Sequence, residues 1–139
     1  MILIDTSVWI ASFRDRQGQI AGLIRQARGT RQAVFTRHIQ LELLQGCTDE
    51  DDWARLKIYL KEQTYLEMRN DGWSDAARIY FDLQRTGSTV RSAADCCIAQ
   101  LALDHDVTLL HNDRDFEKIA TVRPLKQQRL SGLEPNVGG

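Results

Sequence analysis

Short apolar runs alternate with longer amphipathic segments along most of this chain, and that alternation limits the folds open to it. Five runs have the length and composition of buried strands, at residues 2–4, 33–36, 65–68, 107–110 and 122–125. The segments between them place apolar residues three, four or seven positions apart, as Ile20, Leu23 and Ala27 illustrate, which is typical of helices with one buried face. Strands separated by helices predict parallel βαβ units with helices on both faces of one sheet.

The amphipathic segments predict six helices, at residues 7–14, 19–28, 37–47, 51–62, 73–86 and 92–104. A length of 139 residues suits one domain. We therefore predict an α/β/α sandwich with a central, mainly parallel, five-stranded sheet over residues 1–130. Residues 131–139 contain glycine and proline and are expected to form a flexible tail.

Composition and charge exclude several other classes of protein. The net charge is −1, which gives no sign of a protein that coats nucleic acid non-specifically. No apolar stretch approaches the roughly 20 residues of a membrane span, and the first residues lack the basic region of a signal peptide. Cys47, Cys96 and Cys97 form neither a disulfide framework nor a zinc pattern, so we expect a reducing, cytoplasmic location.

Acidic residues follow two of the predicted strands, at the edge where parallel α/β sheets bind ligands. Asp5 comes directly after the first strand, and Asp113 and Asp115 come after the fourth. If these strands are neighbours, the acids converge. Glu42 and Asp95 lie within apolar helical patterns, where a carboxylate is costly unless it is paired or bound to a metal.

Each acid also has an ordinary structural explanation. Asp5, Asp95 and Asp113 could each cap a helix, whereas Glu42 and Asp115 could be solvated or paired with a nearby cation. Taken together, however, several carboxylates within about 5 Å cannot all ionise without a counter-charge. Mg²⁺ and Mn²⁺ prefer oxygen ligands and would supply that charge. The pattern therefore indicates metal-assisted hydrolysis of a phosphodiester, in which the metal activates water.

The acids fall in four segments, at residues 4–10, 41–43, 89–99 and 110–116, the last of which ends in Asp-Phe. In order and spacing, these segments resemble the motifs of the PIN-domain ribonucleases, and specifically those of VapC-type toxins. The resemblance extends from residue 1 to about residue 125. It implies a Rossmann-like fold, Mg²⁺ with Mn²⁺ as a substitute, cleavage of single-stranded RNA, a homodimer and neutralisation by a small antitoxin protein.

The resemblance also implies roles for individual residues. The catalytic acids would be Asp5, Glu42, Asp95 and Asp113, all of them metal ligands, with Asp115 as a further metal ligand. Which of Asp113 and Asp115 is the main fourth acid stays open. Residues expected to bind the substrate or to have an orienting role are Thr6, Ser7, Arg91, Arg114, His111 and Asn112, and Thr6 or Ser7 would orient a carboxylate or a metal-bound water.

Two other functions compete with this interpretation. A phosphatase of the haloacid dehalogenase class needs a second aspartate two residues after the first, where this chain has Ser7. A non-catalytic PIN-like module that binds RNA or protein would typically lack one or more of the acids, all of which are present. We therefore favour the nuclease and keep the binding module as the alternative.

The first predicted helix carries more apolar residues than one buried face requires. Val8, Trp9, Ile10 and Phe13 point in nearly every direction around it. An apolar excess of this kind is best covered by a partner. We expect it to serve a contact between two copies of the chain and a groove that takes an amphipathic segment of the antitoxin.

Overall fold

A computed structural model describes residues 1–130, and it contains the parallel sheet that the alternation predicts. The sheet has four strands rather than five. They are β1 (Ile2–Ile4), β2 (Ala33–Val34), β3 (Thr108–His111) and β4 (Gln127–Arg129), in the spatial order β2-β1-β3-β4. All three neighbouring pairs are parallel.

Two of the predicted strands are wrong in extent or position. The run at 65–68 contributes one isolated parallel bridge, between Tyr65 and Phe35, and continues no further. The run at 122–125 is not a strand, because Pro124 has no N–H for a ladder and the chain turns there. Leu125 packs into the core instead, and the pairing with β3 begins two residues later, at Gln127.

All six predicted helices are confirmed, with small differences at their ends, and a seventh follows β3. They are α1 (Thr6–Arg14), α2 (Gln19–Arg28), α3 (Arg37–Gln45), α4 (Glu50–Lys61), α5 (Gly72–Arg85), α6 (Ala93–Asp104) and α7 (Arg114–Ile119). Side-chain oxygens cap five of the helices by accepting a backbone N–H. The five capping residues are Asp5, Thr36, Asp49, Ser92 and Asp113. Capping of α6 by Ser92 leaves the Asp95 carboxylate available for another role.

The central strands β1 and β3 are buried on both faces, and alternate residues of β1 point to opposite sides of the sheet. Leu3 packs with Leu109 in the larger core, which α3, α5 and α6 cover. Ile2 and Ile4 pack in a second core against Val8 of α1 and other residues of α1 and α2. The predicted sandwich, with helices on both faces, is therefore confirmed.

Two further expectations concern the rest of the chain. Among residues 1–130, no helix is long and apolar enough to cross a bilayer. The flexible tail predicted at 131–139 lies outside the described residues, so the domain boundary at residue 130 stays a prediction.

Candidate active site

Asp5 and Asp113 follow neighbouring strands, as predicted. β1 pairs with β3 in the register Ile4 opposite Leu110, and the Asp5 N–H donates to the Leu110 carbonyl at 2.9 Å. The carboxyl ends of the two strands therefore lie side by side. This edge of the sheet is where ligands bind in parallel α/β folds.

Ser7 connects the two strand ends. Its backbone N–H and its hydroxyl both donate to Asp5 Oδ2, at 3.0 and 2.6 Å. The same hydroxyl oxygen accepts the Asn112 N–H at 3.0 Å, across 105 positions of sequence. Asp5 caps α1 through these bonds, and they also fix the orientation of its carboxylate relative to the turn that follows β3.

Asp113 and Asp115 are held in a similar way. Asp113 Oδ1 accepts the Asp115 N–H at 2.9 Å and so caps α7. The Asp115 carboxylate is almost fully buried and accepts the Arg91 N–H at 2.9 Å, which ties the segment before α6 to this turn. The Arg91 guanidinium lies 3.6 Å from Asp113 and 3.8 Å from Asp115, and Lys118 Nζ lies 3.6 Å from Asp115.

Asp95 lies in the first turn of α6 and completes the cluster of carboxylates. One oxygen each from Asp95, Asp113 and Asp115 lies within 4.8 Å of the others. Burial, together with the negative charges of Asp113, Asp5 and the two other acids, raises the pKa of Asp95 to about 8. The Asp95 carboxyl is therefore protonated through much of the neutral range when no cation is present.

Glu42 and Asp5 belong to the same electrostatic cluster. Burial raises the pKa of Glu42, and the charges of Asp5 and Asp113 raise it as well. Burial also raises the pKa of Asp5, against the hydrogen bonds from Ser7, which lower it. The five predicted acids therefore influence one another, although they come from four separate segments of the chain.

The donor set fits a hard divalent cation. The ligand atoms that Asp95, Asp113 and Asp115 bring together are carboxylate oxygens, which is the type that such cations prefer. The buried Thr6 hydroxyl, which faces Glu42 and lowers the pKa of that carboxyl, has no hydrogen-bond partner of ordinary geometry among the described residues. An oriented water or a cation at this position would satisfy that hydroxyl and offset the repulsion between the acids.

His111, expected to bind or orient the substrate, is fully buried. Its ring lies against Phe116, with the ring centres 5.1 Å apart. The Nδ1 atom receives the Asp113 N–H at 3.1 Å, and Nε2 lies 2.6 Å from Gln127 Oε1. Burial leaves His111 no surface for contact with RNA, so an orienting role is the one that its position allows.

A cleft of about 470 Å³ adjoins the acids and is bordered by cations. Arg91, Arg114 and Asn112, which the sequence predicts as substrate contacts, line it. Lys118 and Arg129 line it too, and sequence reasoning missed them. Lys118 could have been found from its place four residues after Arg114, on the same helical face. Arg129 lies in a polar strand that gave no local signal.

A groove of about 450 Å³ opens between α1, α3 and α4. Its apolar lining includes Ile10, Leu56 and Phe13, and Phe13 is 60% exposed. Glu42 also lines the groove, which therefore extends to the acidic cluster. Part of the apolar excess of α1 is internal, because Val8 is fully buried.

Known proteins share this fold and sequence pattern. The family model for the PIN domain matches residues 2–122. Ribonuclease VapC11 of Mycobacterium tuberculosis and VapC ribonuclease Mb1587 of Mycobacterium bovis are each 35% identical over 130 residues, which cover 91% of this chain and 96% of either relative.

Solved structures of toxin–antitoxin proteins have a similar fold. VapBC-1 from nontypeable Haemophilus influenzae superposes with a TM-score of 0.74 at 21% identity, covering 94% of this chain and 99% of the other. VapBC2 from Rickettsia felis, bound to a DNA fragment from its promoter, gives 0.73 at 16% identity, covering 93% and 98%. With the family model and the VapC relatives matching nearly its whole length, this chain belongs to the VapC group of the PIN-domain family.

Proposed function

We propose that this protein is a metal-dependent endoribonuclease that cleaves single-stranded RNA and acts as the toxin of a toxin–antitoxin pair. The observation that carries the proposal is the grouping of Asp95, Asp113 and Asp115 within 4.8 Å of one another, beside a cleft bordered by cations, with Asp5 and Glu42 near enough for their charges to raise the pKa of Asp95. The VapC relatives, which carry the name ribonuclease, support it.

Four acids hold the metal in this proposal: Asp5, Glu42, Asp95 and Asp113. Mg²⁺, or Mn²⁺ in its place, would act there as a Lewis acid on the scissile phosphate and would lower the pKa of a bound water. Asp115 is a further ligand at the edge of the cluster, where it accepts the Arg91 N–H and lies beside Lys118. These contacts leave Asp113, which is more exposed, as the main fourth acid.

The remaining site residues orient the acids or bind RNA. Ser7 directs Asp5, and the unpartnered Thr6 hydroxyl is available to a metal-bound water. In this proposal, RNA phosphates bind along the cleft and contact the cations and the polar side chain that border it. These are Arg91, Arg114, Lys118, Arg129 and Asn112.

Cleavage of labelled single-stranded RNA, with Mg²⁺, with Mn²⁺ and with a chelator, tests this function. We expect cleavage that the chelator stops and that Asp5→Asn and Asp95→Asn each lower at least about 100-fold, because a metal ligand is lost. Asp51→Asn, on the exposed surface of α4, is the matched control and retains activity. Cleavage by both site variants at the wild-type rate would contradict the proposal. RNA binding by the wild-type protein without cleavage would favour a non-catalytic module.

The groove between α1, α3 and α4 is the proposed docking site for the antitoxin. Its lining is largely apolar and also includes Arg14, Asp52 and Glu42, so it suits an amphipathic segment with a basic side chain that reaches Glu42. A basic group there would compete with the metal. The solved VapBC structures, which contain toxin and antitoxin, support a partner of this kind.

Binding of the antitoxin, which we expect to be a small protein encoded by a neighbouring gene, tests the groove. Phe13→Ala should weaken this binding about tenfold or more, since an exposed aromatic anchor is lost. Ile58→Ala removes an equally exposed apolar residue of α4 that does not line the groove, and should leave the affinity unchanged. Equal losses in both variants would place the antitoxin elsewhere. The predicted homodimer and cytoplasmic location remain part of the proposal, and light scattering tests the former.

A further inference from the structure

The edge strand β4 directs two polar side chains toward the turn that follows β3. Residues two apart in a strand share a face, which places Gln127 and Arg129 on the same side. Gln127 Oε1 lies 2.6 Å from His111 Nε2, and Arg129 Nε donates to Asn112 Oδ1 at 3.3 Å. Gln128, between them, is exposed. One face of β4 thus contacts the turn that carries Asp113.

The direction of each hydrogen bond around His111 follows from one backbone group. The Asp113 N–H can only donate, so His111 Nδ1 must accept its hydrogen, at 3.1 Å. A neutral imidazole with a free lone pair on Nδ1 carries its hydrogen on Nε2. Nε2 therefore donates, and Gln127 presents its oxygen rather than its amide nitrogen.

Burial makes this arrangement dependent on Gln127. The His111 ring has no exposed surface, so no bulk water reaches Nε2 to replace the glutamine. Without an acceptor at Nε2, the other tautomer gains population, and its Nδ1–H opposes the Asp113 N–H. The turn would then lose the bond that fixes Asp113 relative to Asp95 and Asp115.

We propose that Gln127 is a positioning residue for Asp113, acting through a single tautomer of His111. The inference rests on the proposed function insofar as Asp113 is a metal ligand. Gln127 touches neither RNA nor metal in this account. Its effect is to hold the Asp113 backbone so that the carboxylate stays within reach of the other acids, which is how outer residues tune metal sites.

Metal affinity in the absence of RNA is the first test, measured by Mn²⁺ titration calorimetry on the full chain. Gln127→Leu removes the acceptor at similar size and should weaken Mn²⁺ binding about tenfold. Gln127→Glu keeps an acceptor oxygen and should bind within about threefold of wild type. Gln128→Leu makes the same change on the exposed face of β4 and is the matched control. In cleavage assays, Gln127→Leu should lower kcat and leave KM for RNA unchanged.

The tautomer of His111 is the second test and needs neither metal nor activity. Nitrogen NMR of the ring should show hydrogen on Nε2 in wild type and in Gln127→Glu, and a mixture of tautomers in Gln127→Leu. Hydrogen on Nδ1 in wild type would overturn the proposal, as would equal Mn²⁺ affinity in Gln127→Leu and Gln128→Leu. The expected tautomer and Mn²⁺ results in a protein that does not cleave RNA would support the positioning role and refute only the nuclease activity.

Discussion

The acidic cluster contains two groups of carboxylates, which differ in whether they accept a hydrogen bond from the backbone. Asp5, Asp113 and Asp115, the anchored acids, each accept a backbone N–H at 2.9–3.0 Å. Asp95 and Glu42, the unanchored acids, accept no hydrogen bond of ordinary geometry from the described residues, and burial raises the pKa of both. One side of the cluster is fixed before any ligand arrives, and the other is not.

This difference separates two contributions to a metal site. The anchored acids define its geometry, because helix caps and strand ends fix their orientation without a cation. The unanchored acids favour the binding of a cation, because they lie near like charges that raise their pKa values. A bound cation would therefore be oriented by the anchored acids and would offset the repulsion at the unanchored ones.

Asp95→Asn, on the unanchored side, should give the largest effect on activity. We expect RNA cleavage to fall at least about 100-fold, because the substitution removes a proposed metal ligand. The fold should be retained, since Ser92 rather than Asp95 caps α6. Cleavage rate and circular dichroism check the two expectations. Loss of structure in this variant would show that Asp95 is an anchored residue after all.

The free energy of unfolding of the metal-free protein should depend on pH through Asp95. Folding raises the pKa of this acid from 3.8 to about 8, so its contribution to stability is fully present below pH 4 and is lost as the pH rises towards 8. Because Asp95 is only partly buried and solvent screens the charges, we expect Asp95→Asn to be about 2 kcal/mol more stable than wild type at pH 8. Below pH 4 the two proteins should be equal.

Urea unfolding of both proteins in a chelator, at several pH values, measures this difference. Asp51→Asn, on the exposed surface of α4, is the control and should follow wild type throughout. A difference between wild type and Asp95→Asn that stays constant with pH would contradict the electrostatic account of the unanchored acids.

Ser7→Ala tests the anchored side. The change removes the hydroxyl that donates to Asp5 and accepts the Asn112 N–H, so we expect about 1–2 kcal/mol lower stability. Cleavage should fall about tenfold, since Asp5 stays present but loses an orienting bond. Ser12→Ala, on the same helix, is the control. Thermal unfolding and cleavage kinetics measure the two effects. Full activity in Ser7→Ala would contradict an orienting role for the Ser7 hydroxyl.

Arg91→Ala should have the smallest effect on stability. Its guanidinium is 84% exposed and lies 3.6–3.8 Å from Asp113 and Asp115, so we expect a change under about 0.5 kcal/mol. The backbone N–H that anchors Asp115 is unaffected by the substitution. RNA affinity should fall and become less dependent on salt, because a phosphate contact is lost. Binding measured across a salt series tests this, and an unchanged salt dependence would place RNA away from Arg91.

The sequence predicts most of the sheet because its central strands are buried on both faces and are therefore apolar. It fails at β4, whose residues are polar because the strand lies at the edge and faces a polar turn. The apolar run at 122–125 is misleading for the opposite reason, since Leu125 is buried in the core without belonging to a strand. An apolar run therefore indicates that a segment is buried, but it does not show that the segment pairs with another strand.

The acids of the site could be identified because a carboxylate after a strand, or on an apolar helical face, is unusual. Ser7, His111 and Asn112 could also be identified, but their contacts with one another and with Gln127 could not. Gln127 comes beside His111 only because β4 pairs with β3, with Leu109 opposite Gln127, and no local pattern encodes that register. The Ser7 bond to Asn112 depends in the same way on the pairing of β1 with β3.

The pairing of β1 with β3 has a consequence for how the protein is made. β1 lies inside the sheet and is made before the other three described strands, yet one of its neighbours is the segment Thr108–His111. Until that segment is synthesised, one side of β1 has no strand beside it, and Ser7 has no Asn112 amide to bind. Contacts this distant in sequence also form slowly. A nascent chain therefore carries Asp5 well before Asp113 and Asp115 are made, and the acidic cluster can assemble only after β3 has been synthesised.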